Sequence, residues 1–399
     1  MKHVAKLELK DIDVTGKHVL VRVDFNVPMK DGKITDETRI TAALPTLLAL
    51  INADAKIILI THLGRPEPGS VADRKTFTTQ PIAIALSQKL GRRVAHVNDC
   101  IGESVQSAVA SMRDGEVLLL ENVRFYAEET QNDPKFAAAL GSLADVYVND
   151  AFGTAHRAHA STEGVTHYLN PCAAGLLMAR EIYYLSTTLE NPKRPYVAIL
   201  GGAKISDKIT LIENLLGKVD KLLIGGGMAY TFLSAMGRSI GNSIVETEKL
   251  DVAKSLVERE TFSKSVFLPV DHVVGQNFDP ETESKIIDQQ DIPDGWQGLD
   301  IGPETVSAFG EQIAAAKTVV WNGPLGVYEF EKFAQGTIAV AKQIADSEAV
   351  SIIGGGDCVA AIQQAGVGDR MNHISTGGGA SLEFLEGKAL PGITALTDF

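Results

Sequence analysis

Short runs of Val, Ile and Leu recur along the chain, separated by longer stretches with apolar residues at helical spacing. That alternation is the pattern of βαβ units and a mainly parallel sheet. In the first part the runs are Val19–Phe25, Lys56–Thr61, Arg93–Val97, Val117–Glu121 and Val146–Asn149. The second part repeats the pattern with Tyr196–Leu200, Lys221–Ile224, Val266–Pro269, Thr318–Trp321 and Ser351–Ile353, and His373–Ser375 is a further candidate. At 399 residues the chain exceeds what one hydrophobic core normally serves, so two α/β domains are expected. Leu169-Asn170-Pro171 closes the first pattern, and Cys172–Leu189 then reads as a long connecting helix ended by Asn191-Pro192. The expected division is therefore 1–171, a hinge helix over 172–190, and 191–389.

Charge sorts the possible ligands. A net charge of -13 argues against nucleic acid and anionic membranes, which both require a surplus of Lys and Arg. The charge is uneven: residues 1–170 carry 19 Lys and Arg against 21 Asp and Glu, whereas residues 171–399 carry 18 against 29. Cys100, Cys172 and Cys358 lie far apart without a CxxC, so no disulfide framework or structural zinc is expected and a reducing cytoplasm suits the chain. No run approaches the roughly 18 apolar residues that a spanning helix needs, so membrane insertion and export are not expected.

The first part is arginine-rich where its strands end. Along Val19–Asn26, alternation puts Val21, Val23 and Phe25 on one face and Arg22, Asp24 and Asn26 on the other, suggesting a crevice at the carboxyl end of the sheet. A structural Arg–Asp pair is the competing reading. Recurrence favours the crevice: Thr61-His62-Leu63-Gly64-Arg65, Glu121-Asn122-Val123-Arg124 and Ala151–His159, which contains Arg157, all follow strands, and Arg39 opens the segment after a turn. Guanidinium grips phosphate or carboxylate bidentately, so a small phosphorylated acid fits. His62, His156 and His159 could bind metal, but no carboxylate cluster stands at matching spacing, and anion donor or structural histidine is preferred.

The second part is glycine-rich in the same places: Gly201-Gly202-Ala203-Lys204, Gly225-Gly226-Gly227, Gly354-Gly355-Gly356-Asp357 and Gly377-Gly378-Gly379. Glycine lets backbone amides approach phosphate oxygens, although turns alone would also use it. Neither GxxxxGK[ST] nor GxGxxG is completed, which counts against a P-loop ATPase and a dinucleotide dehydrogenase. Lys204 and Lys208, four apart at an expected helix start, would share one face and point at a phosphate chain. Asp357 in an anion-binding loop is accounted for by a bridging magnesium ion, and Asn322–Val327 with Pro324, followed by Glu329, offers small residues for a flat ring and a carboxylate for sugar hydroxyls.

Nine blocks stand in one order over nearly the whole chain: VRVDFNVP, HLGRP, LLENVRF, NDAFGTAHRAHAS, LGGAKISDK, IGGGMAYTF, WNGPLGVYEFE, GGGD and STGGGASLEFLEGKALPG. Together they resemble the phosphoglycerate kinase family. The resemblance implies two Rossmann-like domains, each a mainly parallel sheet covered by helices on both faces, with residues 390–399 packing back on the first. It implies 3-phosphoglycerate on the N-terminal domain at Asp24, Phe25, Asn26, Arg39, His62, Leu63, Gly64, Arg65, Arg124 and Arg157, with Arg22 nearest the transferred group. It implies ATP or ADP with Mg2+ on the C-terminal domain at Lys204, Lys208, Gly225, Gly226, Pro324, Glu329, Gly354, Gly355, Gly356 and Asp357, the last holding magnesium, and places Gly377 and Gly378 at the transferring phosphoryl. A cytoplasmic, monomeric glycolytic enzyme that bends at a hinge is the expectation. One departure is Cys358, where the family usually has Ser or Thr, since a thiol is a poor hydrogen-bond partner. The rival readings are an NAD-dependent dehydrogenase and a non-catalytic two-domain anion-binding protein.

Overall fold

A computed structural model describes residues 5–399. The chain forms two compact units: one runs to Tyr183 and takes in Ala389–Phe399, and the other is Tyr184–Lys388.

The first unit contains β1 (His18–Arg22), a small hairpin of β2 (Met29–Lys30) and β3 (Lys33–Ile34), then β4 (Lys56–Ile60), β5 (Val94–His96), β6 (Val117–Leu119), β7 (Val146–Asn149) and β8 (Cys172–Ala174). Six of these make a parallel sheet in the order β5-β6-β4-β1-β7-β8. On one face Val19, Val21, Ile57 and Leu59 pack against Ile40 and Leu47 of the helix Thr38–Asn52 and Ile82 and Leu86 of the helix Gln80–Leu90. Leu20, Ile58 and Leu118, which alternate to the other face, are equally buried. Each such side chain contributes about 1.5–3 kcal/mol, which is why these segments read as unbroken apolar runs.

The second unit contains β9 (Tyr196–Leu200), β10 (Lys221–Ile224), β11 (Val266–Phe267), β12 (His272–Gly275), β13 (Ser284–Ile287), β14 (Gln297–Ile301), β15 (Thr318–Asn322), β16 (Val350–Gly354) and β17 (His373–Ile374). Its main sheet is parallel in the order β11-β10-β9-β15-β16-β17. Val197, Ile199, Val319 and Trp321 form its core with Phe309 and Ile313 of the helix Pro303–Ala315 and Val340 and Ile344 of the helix Gln335–Asp346.

Strand order reverses around β1 in one sheet and around β9 in the other. Such a switch point leaves a crevice outside the carboxyl ends of the strands. Arg22, Ile60, Leu119 and Asn149 end the central strands of the first sheet, and Leu200, Ile224, Asn322 and Gly354 those of the second. Every arginine-bearing and nearly every glycine-rich loop singled out in the sequence leaves from one of these ends.

Three features depart from the sequence reading. The first three residues of the expected helix Cys172–Leu189 are instead strand β8, paired with β7, and the helix is Leu176–Glu190. The apolar triplet Cys-Ala-Ala has nothing to distinguish a buried edge strand from a helix start. The division between the units falls inside this helix. A second, antiparallel sheet of order β13-β12-β14 lies where no strand was read. The hairpin β2–β3, pairing Met29 with Ile34, also lies where no strand is expected from the sequence.

The C-terminal segment belongs to the first unit by direct hydrogen bonds. Leu7 N–H donates to Thr397 O (2.9 Å), Gly392 N–H to Ala155 O (2.8 Å), and Asn149 Nδ2 to Gly392 O (3.0 Å). No helix among the described residues is long and apolar enough to cross a membrane.

Candidate functional site

Beyond β1 the chain stays extended, and alternation sends Val23 and Phe25 into the core while Asp24 and Asn26 stay partly exposed at the rim. Asp24 accepts from Arg39 Nη1 in an ion pair. Asn26 Oδ1 accepts from Gly64 N–H (2.8 Å), and Arg124 Nη1 donates to Gly64 O (2.9 Å). The loops after β1, β4 and β6 are thereby laced together. Asn122 strengthens the lacing from beneath: its Oδ1 accepts from the N–H groups of Leu63 (3.2 Å) and Arg124 (3.1 Å), and its Nδ2 donates to Leu63 O (2.7 Å) and Phe77 O (3.0 Å).

A cavity of about 360 Å³ brings together Arg65, Arg124, Arg157 and His159, with Tyr126 and Pro68 completing its wall. The half-buried Arg124 keeps Nε without a partner. Burial and then Arg157 and Arg22 push the Arg124 guanidinium down to about 10. Burial also holds His62 well below the usual imidazole range, reinforced by Arg22, Arg124, Arg39 and Arg157, and it lowers His159 to about 4 with help from Arg124, Arg22 and Arg157. Cations crowded so that they depress one another are stabilised by an anion, so this rim is adapted to a multiply charged acid.

Three of the expected site residues, Arg22, Phe25 and Leu63, are buried. Arg22, expected nearest the transferred group, is 1% exposed, and its guanidinium is engaged by Ser161, Val23 and His62 beneath the rim. Phe25 and Leu63 are core side chains, 0% and 1% exposed, whose N–H groups are taken by Thr61 Oγ1 and Asn122 Oδ1. The buried Glu129, which accepts from Ser161 N–H (2.9 Å) and Ser161 Oγ (2.6 Å), was not foreseen. A Glu-Glu pair opening a short helix carries no sign of burial. Among the described residues no group of three or more His, Cys, Asp or Glu could hold a metal ion, so the weaker metal reading of His62, His156 and His159 gains nothing.

In the second unit a cavity of about 430 Å³ is walled by Gly202, Gly226, Pro324, Leu325, Glu329 and Asp357, together with Tyr230, Ile244, Phe278 and Leu299. Those last four apolar and aromatic residues were not singled out from sequence; Phe278 and Leu299 come from the unread antiparallel sheet and its connection. Gly226 has φ +68°, and a Cβ there would stand 2.7–2.9 Å from Gly202 N, Gly202 O and Pro324 O. Only glycine fits where these backbones cross. Gly225 is fully enclosed beside Leu325 and does not reach the cavity wall.

The helix after β9 begins at Ile209, with Lys208 as its N-cap residue. Lys204 and Lys208 therefore do not share a helical face. Lys204 is exposed in the preceding turn, a turn fixed by Ser206, whose N–H and Oγ donate to Glu246 (3.0 and 2.6 Å). Lys208 is 9% exposed, with Nζ donating to Asn322 Oδ1, and burial lowers its pKa. Gly354 ends β16, Gly355 takes φ +88°, and Gly356 opens the helix Gly356–Gln364 with Asp357 exposed in its first turn. Gly377 N–H donates to Ser375 Oγ (3.1 Å), and Gly378, at φ +51°, leads into the helix Gly379–Leu385. Cys358 is 0% exposed within the core, and burial pushes its thiol up to about 12. At this position the side chain faces inward, so replacing a hydroxyl by a thiol removes no group from the cavity.

Comparison with known proteins supports the same conclusion. A family model described as phosphoglycerate kinase matches residues 9–388. A phosphoglycerate kinase of Moorella thermoacetica is 55% identical over 397 residues, covering 99% of this chain and 100% of that protein. One of Trichodesmium erythraeum is 55% identical over 400 residues, covering 100% and 99%. The solved phosphoglycerate kinase of Coxiella burnetii matches with a TM-score of 0.90 at 43% identity, covering 98% of each chain. On two parallel sheets, an arginine-lined crevice and a glycine-walled cavity thus occupy the switch points, and the chain belongs to the phosphoglycerate kinase family.

Proposed function

We propose a division of labour for the reaction that this family membership brings to the chain. The protein is a phosphotransferase with a carboxyl acceptor, and its reaction is reversible transfer between the acyl phosphate of 1,3-bisphosphoglycerate and ADP in glycolysis. The observation that carries the assignment of substrates is the contrast between the two crevices: mutually repelling guanidinium groups in one, and backbone glycines around an apolar cavity in the other.

Arg65, Arg124 and Arg157 hold the phosphate of the acid, while Arg39, Asn26 and the His62 ring serve its other end. Asp24 orients Arg39. The nucleotide base enters between Phe278, Ile244, Leu299 and Pro324, with Glu329 on the ribose. The exposed Lys204 neutralises the migrating phosphoryl, the amides of Gly377 and Gly378 meet it, and Lys208 leaves Asn322 for the nucleotide phosphates. Magnesium fits one exposed carboxylate, Asp357, completed by phosphate oxygens and water, because this ion is commonly held by one or two carboxylates and the substrate. It would offset phosphate charge. No general base is required, since carboxylate and ADP oxygens are already anionic, and the work is alignment and charge neutralisation. The acid and nucleotide occupy different units, so transfer needs closure, for which the helix Leu176–Glu190 is the hinge. A monomer in the cytoplasm suits these roles.

The test is a coupled assay of MgATP-dependent phosphorylation of 3-phosphoglycerate. Product formation is expected. Binding of the acid without any turnover would leave an anion-binding protein, and a nicotinamide absorbance change without auxiliary enzyme would restore a dehydrogenase.

A further inference from the structure

A buried arginine needs a reason, because an uncompensated charge in the interior costs several kcal/mol. Arg22 is 1% exposed and lies in a chain of hydrogen bonds that reaches from the core to the rim. Glu129, itself 0% exposed, accepts from Ser161 Oγ–H (2.6 Å) and Ser161 N–H (2.9 Å). Ser161 Oγ in turn accepts from Arg22 Nε (2.8 Å). The far end of the guanidinium, Nη2, lies 3.2 Å from His62 Nδ1.

Guanidinium has donors and no acceptor, so its partner nitrogen on His62 must accept. An imidazolium, with a proton on both nitrogens, would present a donor to a donor and a cation to a cation. We propose that Arg22 is a positioning residue: anchored on Glu129 through Ser161, it holds His62 as a neutral ring with Nδ1 accepting, so that Nε2–H is the donor offered to the anionic acid. The proposal rests on the functional reading for the identity of that acid, and on geometry alone for the state of the ring.

The cations that act most on His62 work in the same direction. Arg39 from the helix Thr38–Asn52, Arg124 after β6 and Arg157 after β7 all oppose a positive ring, as does burial. Two carboxylates of this region are engaged with other groups, Asp24 with Arg39 and Glu129 with Ser161. Among the described residues no partner engages Nε2 of His62. The consequence is a site whose cation count stays constant across the range in which an ordinary histidine would titrate. Acid affinity is then governed by the guanidinium groups and by the substrate's own ionisation.

The ring state can be read without substrate, by two-bond 1H–15N correlation of 15N-histidine-labelled full-length protein, with His62 assigned by its loss in His62→Gln. The expected spectrum shows Nδ1 unprotonated and Nε2 protonated, unchanged between pH 5.5 and 8, a window set around the ordinary imidazole pKa of about 6.5. A proton on Nδ1, or an imidazolium appearing within that window, would overturn the proposal whatever reaction the enzyme catalyses. The second arm uses the double variant Arg22→Met with Glu129→Gln, which removes both buried charges together so that neither is left unpaired. There the Nδ1–H form of His62 should become visible. KM for 3-phosphoglycerate should rise about tenfold, the effect of one hydrogen bond to a charged group, while kcat stays within about threefold. A fall in kcat of about 100-fold with the His62 spectrum unchanged would instead put Arg22 on the reacting group, as the scale for a transition-state donor requires, and would refute the positioning role. Should the double variant fail to fold, the wild-type spectrum still decides the ring state.

Discussion

Replacing Gly226 by Ala tests the reading of the second cavity at a point where the structure fixes the size of the effect. The residue sits at φ +68°, and an added Cβ would lie 2.7 Å from Gly202 N, 2.8 Å from Gly202 O and 2.9 Å from Pro324 O. All three neighbours are backbone atoms, and each strand of that crossing is already tied: Gly202 N–H donates to Pro324 O (2.9 Å), Gly226 N–H to Leu325 O (2.9 Å) and Met228 N–H to Gly202 O (3.0 Å). No rotamer can relieve the contact. A left-handed conformation costs an L-residue about 1–2 kcal/mol, and overpacking adds about 1–3 kcal/mol, so a loss of about 2–5 kcal/mol is expected in this unit. Both tryptophans, Trp296 and Trp321, lie in the same unit, so intrinsic fluorescence during urea unfolding reports its stability selectively. Because Gly202, Pro324 and Gly226 all wall the cavity, moving them apart should weaken Mg-ADP binding about tenfold or more in calorimetry, a change of only about 1.4 kcal/mol. Titration of 3-phosphoglycerate should be unaffected. Wild-type Mg-ADP affinity together with wild-type unfolding would show that these glycines do not shape the nucleotide site.

Two further outcomes separate chemistry from architecture. Lys204 is exposed in its turn, so Lys204→Ala should leave unfolding unchanged yet lower turnover in the coupled assay by roughly 100-fold or more, the scale for one preorganised donor to a transition state; turnover near wild type would remove it from the mechanism. Burial lowers His272 to about 4, whereas an unfolded histidine titrates near 6.5, so the folded second unit binds fewer protons and its stability is retained above about pH 6.5 and lost as pH falls toward 4. The full loss is about 3 kcal/mol, and in His272→Met the tryptophan-monitored unfolding free energy should fall less steeply between pH 7 and 5 than in wild type. Parallel slopes would show that His272 does not carry the acid sensitivity.

How far these features could be read from sequence depended on whether the signal was local. The central strands were legible because both faces of a parallel sheet are covered: Ile57–Ile60, after Lys56, and Tyr196–Leu200 are apolar on successive residues, and all of them are buried. Strand β13 was not, since Ser284, Lys285 and Ile286 are exposed and only Ile287 is buried, leaving neither a run nor a clean alternation. The spacing of Lys204 and Lys208 suggested a shared helical face, but the helix starts one residue after Lys208, and sequence spacing carries a meaning only inside the element that sets its period. Alternation assigned Arg22 to the polar face of its strand and could not tell that Ser161 and Glu129, more than a hundred residues later, close over it. The loops with arginine were legible because several strands repeated the same residue at the same end.

The partners chosen for the site cations follow one rule in both units. Arg22 is held by a hydroxyl, a carbonyl and an imidazole nitrogen, Arg124 by the carbonyl of Gly64, and Lys208 by the amide oxygen of Asn322. A carboxylate in any of these places would orient the cation more strongly, but it would also cancel the charge that a phosphate or carboxylate ligand must find, and the ligand would have to displace it. Neutral acceptors fix direction while leaving the field nearly intact. The exception, Arg39 with Asp24, is the more solvent-exposed pair, where water screens the attraction and release is cheap. Glu129 meets Arg22 only through the intervening hydroxyl of Ser161, so no carboxylate is set directly against that guanidinium, although Glu129 Oε1 also lies 3.8 Å from His159 Nδ1 at the rim.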